Sequence, residues 1–164
     1  MQYANINTEN TVLEPSAGQG SIIDAILRAH PDQRMIFYCE KMDINRVILS
    51  DRYGKKSEII PLNVKDNDFL NLSSVAHSFD RIVANPPFSK NQDIDHVKHM
   101  YSMLNTGGRL VAIMSKHWQL SENKKESEFK DWLDWIDSEV IEIEAGAFKN
   151  SGTNIASVIV IINK

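Results

Sequence analysis

An alternation of short apolar runs with segments of helical period restricts this chain more than any other feature. Thr11-Val12-Leu13, Met35 to Cys39, Arg81 to Ala84 and Arg109 to Ser115 are short runs rich in apolar and β-branched residues. Runs of this length, bounded by turn-forming or acidic residues, predict buried strands. Between them, apolar residues recur at helical spacing. Ile22, Ile23, Ile26 and Leu27 form a first face, closed near His30-Pro31. Ile44, Val47 and Ile48 form a second, ending near Tyr53-Gly54. Ile94, Val97, Tyr101 and Leu104 form a third, stopped by Gly107-Gly108. Phe129, Trp132, Leu133 and Ile136 form a fourth, led in by the polar run Ser121 to Glu128. Glu58 to Leu62 is a weaker strand, and its Pro61 suits a sheet edge. Val140 to Glu144 alternates, and Ile155 to Ile162 is a long apolar run. No helix separates these two, so they are expected to pair antiparallel. The whole pattern implies an α/β fold: a mostly parallel sheet, helices on both faces and an antiparallel last strand.

In such sheets ligands bind beyond the C-terminal ends of the strands, where strand order reverses. Glu14 to Gly20, Glu40, Asp68-Phe69 and Asn85 to Phe88 all follow predicted strands, so the architecture brings them to one rim. In Asn85-Pro86-Pro87-Phe88 the prolines remove two backbone donors and fix two φ angles. Rigid carbonyls beside an amide and an aromatic face suit a flat, hydrogen-bonding substrate. A plain Pro-Pro turn after a strand fits these four residues as well.

Glu14-Pro15-Ser16-Ala17-Gly18-Gln19-Gly20 is a glycine turn entering a helix, where the backbone can approach a ligand. A dinucleotide fingerprint would place a third glycine at Ile23, and no Gly-Lys-Ser/Thr ending makes it a phosphate loop. An acid at the strand tip fits a ligand with an amino group and no pyrophosphate. Glu40 lies some twenty residues beyond the turn, where a carboxylate can accept ribose hydroxyls. Asp68 can accept from an exocyclic amine while Phe69 packs on the ring; Phe69 plugging the core is the plainer alternative.

Together, Leu-Glu-Pro-Ser-Ala-Gly-x-Gly, the Glu after the second strand, Asp-Phe-Leu and Asn-Pro-Pro-Phe resemble the class I S-adenosylmethionine-dependent methyltransferases. The chain is most similar to N6-adenine DNA methyltransferases whose glycine motif precedes Asn-Pro-Pro. Glutamine-N5 protein methyltransferases share the tetrad but usually carry Asp-x-Gly-x-Gly. The stretch from Asn85 to Ser115 and the segment Gly146 to Thr153 also look like small methyltransferases of phages and prophages. The resemblance implies a Rossmann-like, seven-stranded core. It implies that Glu14, Pro15, Ser16, Ala17, Gly18 and Gly20 contact the methionine part of S-adenosylmethionine. Glu40 would hold the ribose, Met42 would lie against the adenine, and Asp68 and Phe69 would bind the adenine amine and ring. Asn85 and the Pro86 carbonyl would accept from the target amine, Pro87 would stiffen that cradle, and Phe88 would stack on the target base. DNA methylation at adenine N6 is the expected activity. A binding subunit or inactive remnant, or a methyltransferase acting on RNA or a protein glutamine, is the alternative.

The bulk of the sequence bounds these expectations. A chain of 164 residues is most simply one domain, here with no room for a separate target-recognition domain. Only ten residues precede Thr11, too few for the helix that in the family covers the methionine end. The net charge of −4 argues against free-standing DNA binding unless cations gather on one face, so a partner chain is expected to supply target recognition. The lone Cys39 reads as a buried reduced thiol, which with the polar start points to the cytoplasm. No apolar run approaches the ~20 residues that span a membrane. His96 and His99, near Asp93 and Asp95, read as a solvated helix face, and no metal is expected. Lys116, His117 and Trp118 are expected to border the site, Lys124 and Lys125 to be solvated, Trp132 to be core and Trp135 to mark an interface.

Overall fold

The computed structural model describes residues 1–143 and 156–164. In chain order the elements are β1 (Val12–Glu14), α1 (Ser21–Ala29), β2 (Ile36–Tyr38), α2 (Asp43–Tyr53), β3 (Ile59–Pro61) and β4 (Phe79–Ala84). They continue with α3 (Gln92–Ser102), β5 (Leu104–Ser115), α4 (His117–Leu120), α5 (Lys124–Trp135), β6 (Glu139–Glu142) and β7 (Ser157–Asn163). The seven strands form one sheet in the order β3-β2-β1-β4-β5-β7-β6. Strands β1 to β5 are parallel, and β7 runs antiparallel to both of its neighbours. This is the Rossmann-like methyltransferase arrangement. The chain winds outward from β1 to β3 and then returns to β4, so strand order reverses between β1 and β4. The tips of these two strands flank the crevice where ligands bind in such sheets.

Side-chain alternation along the central strands explains why the sheet is covered on both faces. Leu13 and Ile82 belong to one buried cluster, with Val97, Met100, Leu110, Phe129 and Val160. Val12 and Val83 belong to the other, with Ile23, Ile26, Ile36 and Leu49. Strand β3 ends in Pro61 at the sheet edge, as the missing N–H requires. The residues before β1 pack back on the sheet. Ala4 and Ile6 are buried, and Arg109 Nε and Arg81 Nε donate to the carbonyls of Tyr3 (2.7 Å) and Asn5 (2.8 Å).

Three expectations need correction. Helix α3 ends at Ser102, and Leu104 opens β5 by pairing with Phe79. The register then shifts before Arg81 meets Arg109, so Gly107-Gly108 lie in an irregular part of β5 instead of closing a helix. The inward face of α2 is Leu49 and Tyr53, while Ile44 and Val47 are 62% and 65% exposed. Bonds at the far end of α2 set this rotation: the Tyr53 hydroxyl donates to Asp24 (2.6 Å), and Arg52 pairs with the same carboxylate. The short helix α4 was not expected; it buries Trp118 edge-on against Phe129 at 5.2 Å. Trp132 is half-buried and stacks on Phe129 at 5.7 Å, whereas Trp135 is exposed. The segment Gly146 to Thr153 lies outside the described residues.

Candidate functional site

The tips of β1, β2 and β4 and the turn after β3 enclose a cavity of about 330 Å3. Pro15, Ser16, Glu40, Met42, Asp68, Phe69, Asn85 and Pro87 line it, together with Lys41, Asn45, Asn67, Gln92 and His96. Four stretches far apart in sequence thus meet at one rim. Glu14, Ala17, Gly18, Gly20, Pro86 and Phe88 are not on its surface. A second hollow of about 400 Å3 lies between α2 and the β3 edge and shares Glu40 and Asn67 with the first. It holds none of the tetrad.

The glycine turn is gripped from two sides. On the cavity side, Glu40 accepts from the Gly18 N–H at 2.6 Å and from the Met42 N–H at 2.7 Å. Each carboxylate oxygen keeps acceptor capacity for a further donor. From behind, the Tyr53 hydroxyl contacts the Gly20 carbonyl at 3.2 Å, and Arg52 donates to the Gln19 carbonyl. Gly20 has φ 91°, and a Cβ there would come within 2.6 Å of the Tyr53 hydroxyl, so glycine is required. Burial alone would raise the Asp24 carboxyl, but hydrogen bonds from Tyr53 and Arg52 win and hold it below the usual range.

Glu14 lies beneath this turn at 1% exposure. Burial pushes its carboxyl well above the usual range; a bond from the Ile23 backbone opposes this and the nearby Glu40 charge adds to it. One of its oxygens is buried without a partner. That acceptor is closed off from the cavity by the turn above it.

At the other end of the cavity, Asp68 pairs with Lys41 at 2.6 Å and accepts from the Leu70 N–H at 3.1 Å. The Lys41 hydrogen bond leads in holding its carboxyl low. Phe69 is 2% exposed, with its ring 5.5 Å from His96 and 4.9 Å from His99. It therefore lines the cavity and plugs the core at once. The two histidines are not a solvated face: His96 is 6% exposed, and His99 Nε2 meets the Leu72 carbonyl at 3.0 Å. Burial lowers the His96 pKa and its Nδ1 has no partner, so the ring is neutral at pH 7. No metal-binding group of His, Cys and acids occurs among the described residues.

In the tetrad, Asn85 and Pro87 are exposed at the cavity, Pro86 is buried and Phe88 is half-buried. Two buried acids brace the segment that follows, and sequence reading missed both. Glu126 accepts from Asn91 Nδ2 at 2.6 Å, and Asp93 accepts from the Ser115 N–H (3.1 Å) and hydroxyl (2.9 Å). In the sequence, only their place in the first turn of a helix sets them apart. Lys116 pairs with Glu142, His117 is exposed and Trp118 is core, so none of the three lines the cavity. Lys124 and Lys125 are held by Glu128 (3.7 Å) and Asp95 (2.7 Å).

The methyltransferase small domain family matches residues 2–133. The chain belongs to that family. Solved structures share the fold of this methyltransferase small domain at low identity. TrmN from Thermus thermophilus is 17% identical over 99% of this chain and 46% of its own, with a TM-score of 0.69. The type I restriction-modification methyltransferase subunit from Streptococcus thermophilus is 18% identical over 94% of this chain and 39% of its own, with a TM-score of 0.75. An rRNA methylase from Streptococcus thermophilus is 11% identical over 99% of this chain and 90% of its own, with a TM-score of 0.64. The chain thus spans less than half the length of the first two. No curated protein matches it in sequence. Among the described residues, no helix is long and apolar enough to cross a membrane.

Proposed function

We propose that this protein transfers a methyl group from S-adenosylmethionine to an exocyclic amine, N6 of adenine in DNA. One observation carries the reading: Asn85 and Pro87 open on the same cavity as Glu40, Met42, Asp68 and Phe69. When bound, S-adenosylmethionine supplies a methyl group already activated on a sulfonium. Pro15, Ser16, Ala17, Gly18 and Gly20 would shape the turn around its ammonium end, with Glu14 bracing that turn from beneath. Glu40 keeps acceptor capacity for the ribose hydroxyls, and Asp68 does so for an adenine amine. Met42 and Phe69 supply apolar surface to that ring.

An aromatic amine is a poor nucleophile because its lone pair is delocalised into the ring. Asn85 and the Pro86 carbonyl accept from its two N–H bonds out of the ring plane, which favours a pyramidal nitrogen with an available lone pair. Pro86 and Pro87 hold these acceptors still, and Phe88 stacks on a base drawn out of its helix. The methylated nitrogen is acidic and sheds one proton to water, so no strong general base is required; alignment and preorganised dipoles do most of the work. A partner chain would supply target recognition, in keeping with the net charge of −4.

Labelled S-adenosylmethionine, offered with DNA, RNA and protein acceptors, tests the proposal. Label should enter adenine N6 in DNA, and Asn85→Ala should lower turnover at least about 100-fold while cofactor affinity stays within a few-fold. Binding without transfer to any acceptor overturns the enzyme in favour of a binding subunit. Transfer to RNA or to a glutamine reassigns the substrate.

A further inference from the structure

The segment between the tetrad and α3 holds two successive left-handed residues that are not glycine. These are Lys90 (φ 55°, ψ 32°) and Asn91 (φ 55°, ψ 36°). Asparagine visits this region readily; lysine has no local reason to. Such backbone persists only where its surroundings over-determine it. Here they do. Asn91 Nδ2 donates to the buried Glu126 at 2.6 Å, and Lys125 Nζ donates to the Asn91 carbonyl at 3.1 Å. On the other flank, Gln92 Nε2 donates to Ser89 Oγ at 3.1 Å, and Asp93 is fixed to Ser115. The strap leaves Lys90 exposed, between Pro87 and Gln92, two residues that line the cavity.

Charge together with position beside the tetrad points to the same residue. Lys41, Lys116 and Lys125 are neutralised by Asp68, Glu142 and Asp95. The Lys90 side chain makes no ion pair or hydrogen bond among the described residues. A strained, anchored loop thus presents an uncompensated cation beside the amine cradle of a net-acidic chain. The matching chemistry is an anion carried close to the reacting amine. A phosphodiester backbone places one at every nucleotide, and a glutamine side chain brings none.

We propose that Lys90 contacts a backbone phosphate of the nucleic acid whose base enters the Asn85 cradle, and that Glu126, acting through Asn91, is the positioning residue that holds it there. This rests on the reading of the site as a nucleic-acid amine methyltransferase. The test measures binding of the full chain to a single-stranded DNA and to the RNA of the same sequence, across about 50–200 mM salt. Lys90→Gln should weaken binding about 3–10-fold at the lowest salt and reduce the salt slope by about 0.7. Lys90→Arg should restore both, and Lys55→Gln, at the opposite end of the sheet, should change neither. Glu126→Ala should reproduce the loss, with no further loss when Lys90→Gln is added. The strand type that carries the Lys90 effect identifies the acceptor. An unchanged slope in Lys90→Gln, an equal drop in Lys55→Gln, or no binding to either strand overturns the phosphate contact. Additive losses overturn the role of Glu126. If the slopes change as expected but no methyl group is transferred, the contact stands and the catalytic reading fails.

Discussion

Glu14 sits under the glycine turn with one oxygen unpartnered, and burial raises its pKa. The sign of the consequence follows from proton counts. From the usual value near 4.5 upward, the unfolded chain releases this proton while the folded chain keeps it. Stability therefore falls as pH rises through that window, by about 1.4 kcal/mol for each pH unit until the folded group ionises. Glu14→Gln should raise the melting temperature at pH 8 relative to the parent, and the gain should vanish toward pH 4. Thermal melts across that range check it; a gain independent of pH refutes the linkage. Cys39, whose pKa burial pushes up to about 12, should react with thiol reagents only as fast as the protein opens. Its labelling rate should therefore rise with urea in step with unfolding. A place at the cavity was legible for residues that follow a strand, as Glu40 and Asp68 do. The burial of Glu126, Asp93 and His96 was not. Their burial depends on partners such as Asn91, Ser115 and Phe69, 35, 22 and 27 positions away in the sequence.

Helix α2 shows what period alone decides and what it leaves open. Its existence and both ends follow from spacing and from Gly54, yet two apolar stripes compete for the core. Ile44, Val47 and Ile48 make the longer one, and Leu49 with Tyr53 makes the buried one. The tie is broken by the Tyr53 hydroxyl and Arg52, polar groups that reach the glycine turn and Asp24. Val47→Gln should therefore change stability by no more than about 0.5 kcal/mol. Leu49→Ala should cost about 2–5 kcal/mol. Urea denaturation separates the two, and comparable losses would mean that the helix faces the other way. Leu104 shows the same limit: it continues the helical spacing of Ile94, Val97 and Tyr101, but the pairing with Phe79 claims it for the sheet.

For the whole molecule, the α/β class and the antiparallel last pair were legible in the sequence. The placing of β4 beside β1 was not, because nothing local encodes which strands are neighbours. One carboxylate ties this junction together. Asp80 accepts from the Thr11 N–H (2.8 Å), the Thr11 hydroxyl (2.9 Å) and Asn105 Nδ2 (2.9 Å). Burial alone would raise its carboxyl, but the bonds from Asn105 and Thr11 prevail and lower it. The stabilisation is full above the usual value of 3.8 and is lost as pH falls through the lowered one. Asp80→Ala should cost about 1.5 kcal/mol at pH 7, and it should flatten the acid limb of the stability curve. Urea midpoints from pH 7 to pH 3 show whether it does.

The position of β7 has a consequence for how the protein is made. Among the described strands it is the last to be synthesised, yet it lies between β5 and β6. Until Ser157–Asn163 have emerged, Glu139–Glu142 has no strand to pair with, and the outer edge of the 12-residue β5 stays open. A nascent chain is thus exposed to edge-to-edge association until the very strand that closes its sheet arrives.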